Sequence, residues 1–193
     1  MTKVQCLIPL SWKYIPVTFA FSMLNMQKYA QGKYDIRFRT SSICYLDCAR
    51  NDLATKAFQD KPDYVLWLDA DMSYPEDTPE RLMKHDKLVI SGLTLLKGNG
   101  LPMLFNFIGN SFDVRNAGIR TGLMKVDVAS MGGLLVKTTV FEKLKFPYFN
   151  TGWSKAMYVG EDIYFYKQCK NKGIEIWCDT SLKFGHMDLI ERI

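Results

Sequence analysis

Two pairs of acids and one late histidine are the residues of this chain whose types and spacing could do chemistry. Asp69 and Asp71 flank Ala70 at the end of the apolar run Tyr64-Val65-Leu66-Trp67-Leu68. Side chains alternate along an extended chain, so both carboxylates would point the same way, and two hard oxygens converging on one spot suit Mg2+ or Mn2+. Asp-x-Asp is also common in solvated turns, and the motif alone does not separate the two readings. Glu161 and Asp162 follow Gly160 at the head of an amphipathic segment. Acids in a first helical turn stabilise a helix through its dipole by about 0.3 to 1 kcal/mol with no further role. A carboxylate kept ionised there can equally take a proton from an attacking hydroxyl. His186, one of two histidines, follows Lys183-Phe184-Gly185. A lone histidine is more often a core or surface residue than a metal ligand. The other, His85, ends a helical segment among charged neighbours and reads as surface.

Placing these residues calls for alternating strands and helices. Residues 4–8 form a short apolar strand ended by Pro9, and residues 16–30 read as a helix stopped by Gly32. Tyr34, Ile36 and Phe38 alternate with charged residues over a half-buried strand, before the polar Thr40-Ser41-Ser42. A helix over 49–58 leads into the strand at 64–68, which is apolar enough to be buried on both faces. Its acids then fall at the carboxyl end, where open α/β sheets bind ligands. Thr78-Pro79-Glu80 predicts a cap, a proline at the first helical position and an acid in the first turn, opening a helix to residue 85. Residues 88–95 supply another strand. Beyond residue 97 the pattern changes. Gly98-Asn99-Gly100, Gly109-Asn110-Ser111 and Asn116-Ala117-Gly118 punctuate short segments, and Met124, Val126 and Val128 alternate with Lys125 and Asp127, as in a β-meander. Met131-Gly132-Gly133 precedes an apolar Leu134-Leu135-Val136, and a short helix caps at Thr138 or Thr139. Adjacent glycines allow close backbone approach to a ligand or make an ordinary turn. Residues 146–158 read as a loop rich in aromatics, Trp153 and Tyr158 among them, which is either a stacking surface or a flap packed on the core. The segment after Gly160 is a helix ending at Lys172-Gly173, and residues 174–178 are a final strand.

The 193 residues, 48% of them hydrophobic, fit one globular domain with a sizeable core. Five cysteines, with no disulfide pattern and no zinc spacing, point to a reducing compartment, read as the cytoplasm. The net charge of +5 is spread along the chain, which suits an anionic small ligand better than a nucleic-acid groove. No run approaches the length of a membrane span. Neither G-x-G-x-x-G nor G-x-x-x-x-G-K-[ST] is present, which excludes the dinucleotide and P-loop fingerprints.

Taken in order, Asp69-Ala70-Asp71 after a strand, Gly132-Gly133, Gly160-Glu161-Asp162 opening a helix and the late Gly185-His186 resemble nucleotide-sugar glycosyltransferases of the GT-A fold. The likeness is to family-2-like transferases, including small stand-alone ones of large viruses and phages. Cys48-Ala49-Arg50-Asn51 is similar to that family's Ala-Arg-Asn element. The resemblance implies an α/β, Rossmann-like fold with a mixed, mainly parallel sheet flanked by helices and a small antiparallel meander in the second half. One domain over 1–193 would divide into a nucleotide-binding half, 1–97, and an acceptor-binding half, 98–193. It further implies Mn2+ or Mg2+ held by Asp71 and His186 with Asp69 near the ion or the donor's ribose or sugar. Asp162 would be the catalytic base, and Glu161 its helper or an acceptor contact. Pro9, Arg50, Ala70 and Gly132 would border the donor, with Thr40 at the base, and Gly133, Trp153 and Tyr158 would meet the acceptor. The partners would be a UDP-sugar and a glycan or other hydroxyl acceptor, with a hexosyl or deoxyhexosyl group transferred and host cytoplasm as the location if the chain is viral.

Two departures from the family pattern stand out. The opening Ile8-Pro9-Leu10-Ser11-Trp12 lacks the Tyr-Asn that often follows the proline, and no Gln-x-x-Arg-Trp of processive synthases occurs, which favours single additions. A catalytically silent sugar- or nucleotide-binding module and a metal-dependent nucleotidyltransferase are the competing readings. The latter usually needs a glycine- and lysine-rich phosphate loop after the first strand, and residues 8–14 offer none.

Overall fold

The computed structural model describes residues 1–10, 14–96, 100–109, 111–154 and 157–186. Expectations placed on residues 11–13, on Gly98-Asn99 and on Asn110 lie outside them. The chain runs β1 (Lys3–Pro9), α1 (Val17–Ala30), β2 (Asp35–Ser41), α2 (Leu46–Asp60), β3 (Tyr64–Trp67), β4 (Met72–Ser73), α3 (Thr78–Lys84) and β5 (Val89–Leu93). Then come β6 (Phe105–Phe107), β7 (Val114–Asn116), β8 (Leu123–Val126), β9 (Leu134–Lys137) and α4 (Thr139–Lys143). The last elements are β10 (Gly152–Ser154), β11 (Met157–Val159), α5 (Glu161–Asn171), β12 (Ile176–Lys183) and β13 (Gly185–His186).

Seven strands make the central sheet, in the order β2-β1-β3-β9-β5-β12-β8. Five of them run one way; β9 and the edge strand β8 run against them. The mixed, mainly parallel sheet of the sequence analysis is therefore present, and it draws β8, β9 and β12 from the second half of the chain. Leu134, Leu135 and Val136 are all buried, because β9 sits between β3 and β5 with a layer on each face. One apolar layer joins Leu53, Ala54 and Ala57 of α2 to Phe165 and Tyr166 of α5, and the other holds Phe19 and Met26 of α1 with Leu82 of α3. The predicted meander is a β6–β7 hairpin tied, through a Phe105–Val128 bridge, to the chain just past the end of β8.

Several boundaries differ from expectation for local reasons. Residues 146–158 are not all loop: Gly152–Ser154 and Met157–Val159 form an antiparallel hairpin. Strand β12 runs to Lys183 rather than stopping at 178, because its polar middle is satisfied internally. Thr180 donates to the carbonyls of Arg120 and Gly122, and the buried Asp179 accepts from Ser181. His85, read as surface, lies with Nε2 3.1 Å from Asp179 Oδ2. Helix α2 begins three residues earlier than expected, and Thr78 is the first residue of α3, with Asp77 in the cap position.

One close approach governs the position of His186. Gly92 and Gly133 leave a slot for the Phe184 ring, and the Phe184 amide donates to Leu93 at 2.9 Å. Gly133 has φ +87°, and a Cβ there would overlap the ring. Gly133→Ala should therefore cost roughly 2 to 5 kcal/mol of folding stability, read by urea unfolding; a stability equal to wild type would contradict this packing.

Candidate active site

Strand β3 ends at Trp67, and Asp69-Ala70-Asp71 lie in a turn, closed by the Met72 amide on the Asp69 carbonyl at 3.3 Å. The strand periodicity invoked for these acids thus stops before it reaches them. The buried Tyr74 hydroxyl fixes the turn by accepting from the Asp69 amide at 2.9 Å and donating to its carbonyl at 3.2 Å. Burial holds that phenol far above its ordinary range, so it remains a donor. The Asp69 carboxylate accepts from Arg50 Nη2 at 3.0 Å, whereas Asp71 Oδ2 stands 3.3 Å from His186 Nε2. The two acids therefore take different partners instead of converging on one point, and among the described residues no three His, Cys, Asp or Glu side chains form a metal-binding group.

The Asp71–His186 pair is built by a two-residue ladder. β13 pairs antiparallel with β4, His186 opposite Met72 and Gly185 opposite Ser73. A Cβ on Gly185 would meet the Ser73 hydroxyl and turn it aside. His186 Nδ1 faces the Leu95 carbonyl at 3.3 Å, and since a carbonyl only accepts, that nitrogen carries the proton. In its neutral form the ring would then present the Nε2 lone pair on the side of the Asp71 carboxylate. A divalent cation fits this pair: a backbone carbonyl on the far nitrogen is the usual support for a ligating histidine, and two ligands on one small ion sit roughly 3 Å apart.

Arg50 is buried and bridges the two acidic motifs, with Nε on Glu161 Oε1 at 3.2 Å as well as Nη2 on Asp69. Burial alone would lower its affinity for the proton, but Asp69 and Glu161 outweigh that and raise it, so the guanidinium is permanently charged. Glu161 is buried against this cation rather than open to an acceptor. Asp162, half-buried in the first turn of α5, has its carboxyl pushed up to about 6, first by burial and then by the Glu161 charge. Its Oδ1 accepts from the Ile163 amide at 2.7 Å.

The remaining residues fall into two groups. Pro9, Leu10, Leu46, Arg50 and Asp69-Ala70-Asp71 line one cleft of about 240 Å³ at the carboxyl ends of β1 and β3. Thr40 is exposed near the end of β2, in register with Ile8, and is not among the cleft's lining residues. Trp153 and Tyr158 are exposed, face each other across the β10–β11 hairpin, and meet edge to face at 5.8 Å. Gly132 and Gly133 are both buried and have packing reasons. A Cβ on Gly132 would press on Asp69, Met72 and Tyr74, and Gly133 lies under Phe184, so Gly132, expected at the donor, and Gly133, expected at the acceptor, are both turned into the packing. Sequence reasoning missed Tyr74, whose signal was an aromatic five residues past Asp69, and Leu46, an apolar residue at the start of a helix.

No protein-family model matches the sequence, and no curated protein matches it. Solved structures do. A197 from STIV superposes with a TM-score of 0.67 at 17% identity, over 97% of this chain and 86% of that one. TarS of S. aureus, residues 1–349, gives a TM-score of 0.55 at 12% identity, over 96% of this chain and 60% of that one. A glycosyltransferase involved in the glycosylation of the major capsid of PBCV-1 gives 0.42 at 12% identity, over 72% and 62%. The fold is GT-A-like, as the resemblance of the motifs implied. No helix among the described residues is long and apolar enough to cross a membrane.

Proposed function

We propose that this chain is a glycosyltransferase that moves a sugar from a nucleoside diphosphate, UDP in first place, to an acceptor hydroxyl with inversion of the anomeric centre. The observation that carries this reading is the Arg50 bridge: one buried cation holds Asp69, beside the Asp71–His186 pair, and Glu161, beside the Asp162 carboxyl that burial and the Glu161 charge push up to about 6. A cation site on the donor side and a candidate base would then share a single anchor. The fold supports it, since ligands of open α/β sheets sit at the carboxyl ends of the strands, where the cleft lies.

In this scheme the nucleoside end of the donor rests in the cleft on Pro9, Leu10 and Leu46, and its diphosphate extends toward Asp71. Mn2+ or Mg2+ held by Asp71 and His186 would offset charge developing on the leaving diphosphate. Asp162 takes the proton from the acceptor hydroxyl as that oxygen attacks the anomeric carbon from the face opposite the diphosphate. One displacement inverts the centre. Trp153 and Tyr158 give the acceptor an exposed aromatic platform beside the helix that carries the base.

Incubated with UDP-glucose, UDP-galactose or UDP-N-acetylglucosamine and Mn2+, the protein should release UDP, slowly to water and faster once an acceptor is supplied. Folded protein that binds such a donor and never turns it over would instead be a binding module.

A further inference from the structure

Helix α2 does more than cover the sheet. Over one turn it presents Asp47, Arg50 and Asn51 to the segment between residues 148 and 161. Asn51 Oδ1 accepts from the amides of Tyr148 and Phe149 at 2.9 and 3.2 Å, and its Nδ2 donates to the Phe149 carbonyl at 2.7 Å. Asp47 Oδ2 accepts from the Thr151 hydroxyl at 3.0 Å. The Arg50–Glu161 contact then pins the far end, so the hairpin bearing Trp153 and Tyr158 is held on both sides by one helix. Arg50 itself packs over the Trp67 ring, and its Nη1 is buried with no hydrogen-bond partner among the described residues. A guanidinium presents its donors in a fixed plane, so it holds two carboxylates at a set separation where an ammonium would not.

From this geometry we infer that Glu161 is a positioning residue: joined to Asp69 through Arg50, it fixes the first turn of α5, and with it Asp162, against the donor-side turn. The inference rests on reading Asp162 as the base. It replaces an acceptor contact or a second acid with a structural link between the two motifs, in which Glu161 is buried against Arg50 while Arg50 and Asp69 reach the wall of the cleft. A displacement of about 1 Å at a reacting group lowers rates by about a hundredfold, so a link of this kind is felt in turnover rather than in binding.

The test compares Glu161→Ala and Glu161→Gln with wild type in UDP-sugar hydrolysis with Mn2+. The alanine variant should lose about tenfold or more in kcat with donor KM nearly unchanged, and glutamine, which still offers Arg50 an acceptor, should recover most of that loss. A glutamine variant as impaired as the alanine one would mean that the charge itself acts in catalysis, and wild-type kcat in Glu161→Ala would mean that the bridge positions nothing; either result overturns the inference. Amide hydrogen exchange separates it from the functional reading. Glu161→Ala, and not Glu161→Gln, should speed exchange at residues 157–164. If wild type turns over none of the donors, the transferase reading fails while exchange still decides the bridge, and equal exchange in all three proteins overturns it.

Discussion

Asp162→Asn should lower turnover by about two to four orders of magnitude while leaving nucleotide affinity unchanged. Asparagine keeps the shape of the side chain and can still accept from the Ile163 amide, so the first turn of α5 is preserved and only the basic oxygen is lost. The pH dependence is a second signature. A base acts only when ionised, and burial with the Glu161 charge pushes the Asp162 carboxyl from 3.8 to about 6, so kcat/KM in wild type should rise with pH through about 6 and then level. The asparagine variant should lose that limb. The same shift acts on stability in the opposite sense. A folded-state value above the unfolded one means that the native protein holds its proton longer, so this group's contribution is fully present below about 3.8 and is lost as pH rises through about 6. A mildly destabilising carboxyl kept at the head of a helix is what a functional group, rather than a capping group, looks like. Turnover in Asp162→Asn equal to wild type would remove the base from the scheme.

The second large effect concerns Asp71. In Mn2+, Asp71→Ala should weaken UDP binding by on the order of a hundredfold or more, to the level wild type shows in EDTA. Without metal the sign reverses, because removing a carboxylate beside a diphosphate relieves repulsion between like charges, so metal-free binding should be unchanged or slightly tighter. His186→Ala should fall on the same side as Asp71→Ala. The two form one pair, 3.3 Å apart, and the carbonyl on Nδ1 orients the ring for a ligand's role. Isothermal titration with UDP in Mn2+ and in EDTA reads all of these. An Asp71→Ala protein that keeps full Mn2+-dependent affinity would place the ion elsewhere.

Much of this architecture is legible in local pattern. The apolar run before Asp69 ends one residue past β3, the acid-rich turn after Gly160 opens α5, and the alternation of strand and helix through residue 93 is the first half of the sheet. What local pattern could not carry is pairing across long separations. Nothing around Leu134 says that β9 would run antiparallel through the middle of the sheet, because a fully buried strand reads the same in either direction. The hairpin at 152–159 was hidden by its aromatics, which suit a loop as well as a strand. Arg50 and Glu161 are 111 residues apart, and no spacing rule joins them. The glycines show the limit most clearly. Gly132 and Gly133 invite a ligand in sequence, yet the space they leave is filled by Met72, Tyr74 and Phe184. The Asp-x-Asp acids lie past a strand end, as the apolar run predicts, but they do not share one direction, since the turn, fixed by Tyr74, sends Asp69 to Arg50 and Asp71 to His186.

On the proposed function, the cleft between Pro9, Arg50 and Asp71 receives a nucleoside diphosphate beside a divalent cation. Titrating wild-type protein with UDP, with GDP in parallel, in the presence and absence of Mn2+ tests it most directly. Micromolar binding of one nucleotide that depends on the metal is the predicted result. A folded protein that binds neither nucleotide under either condition would contradict the account.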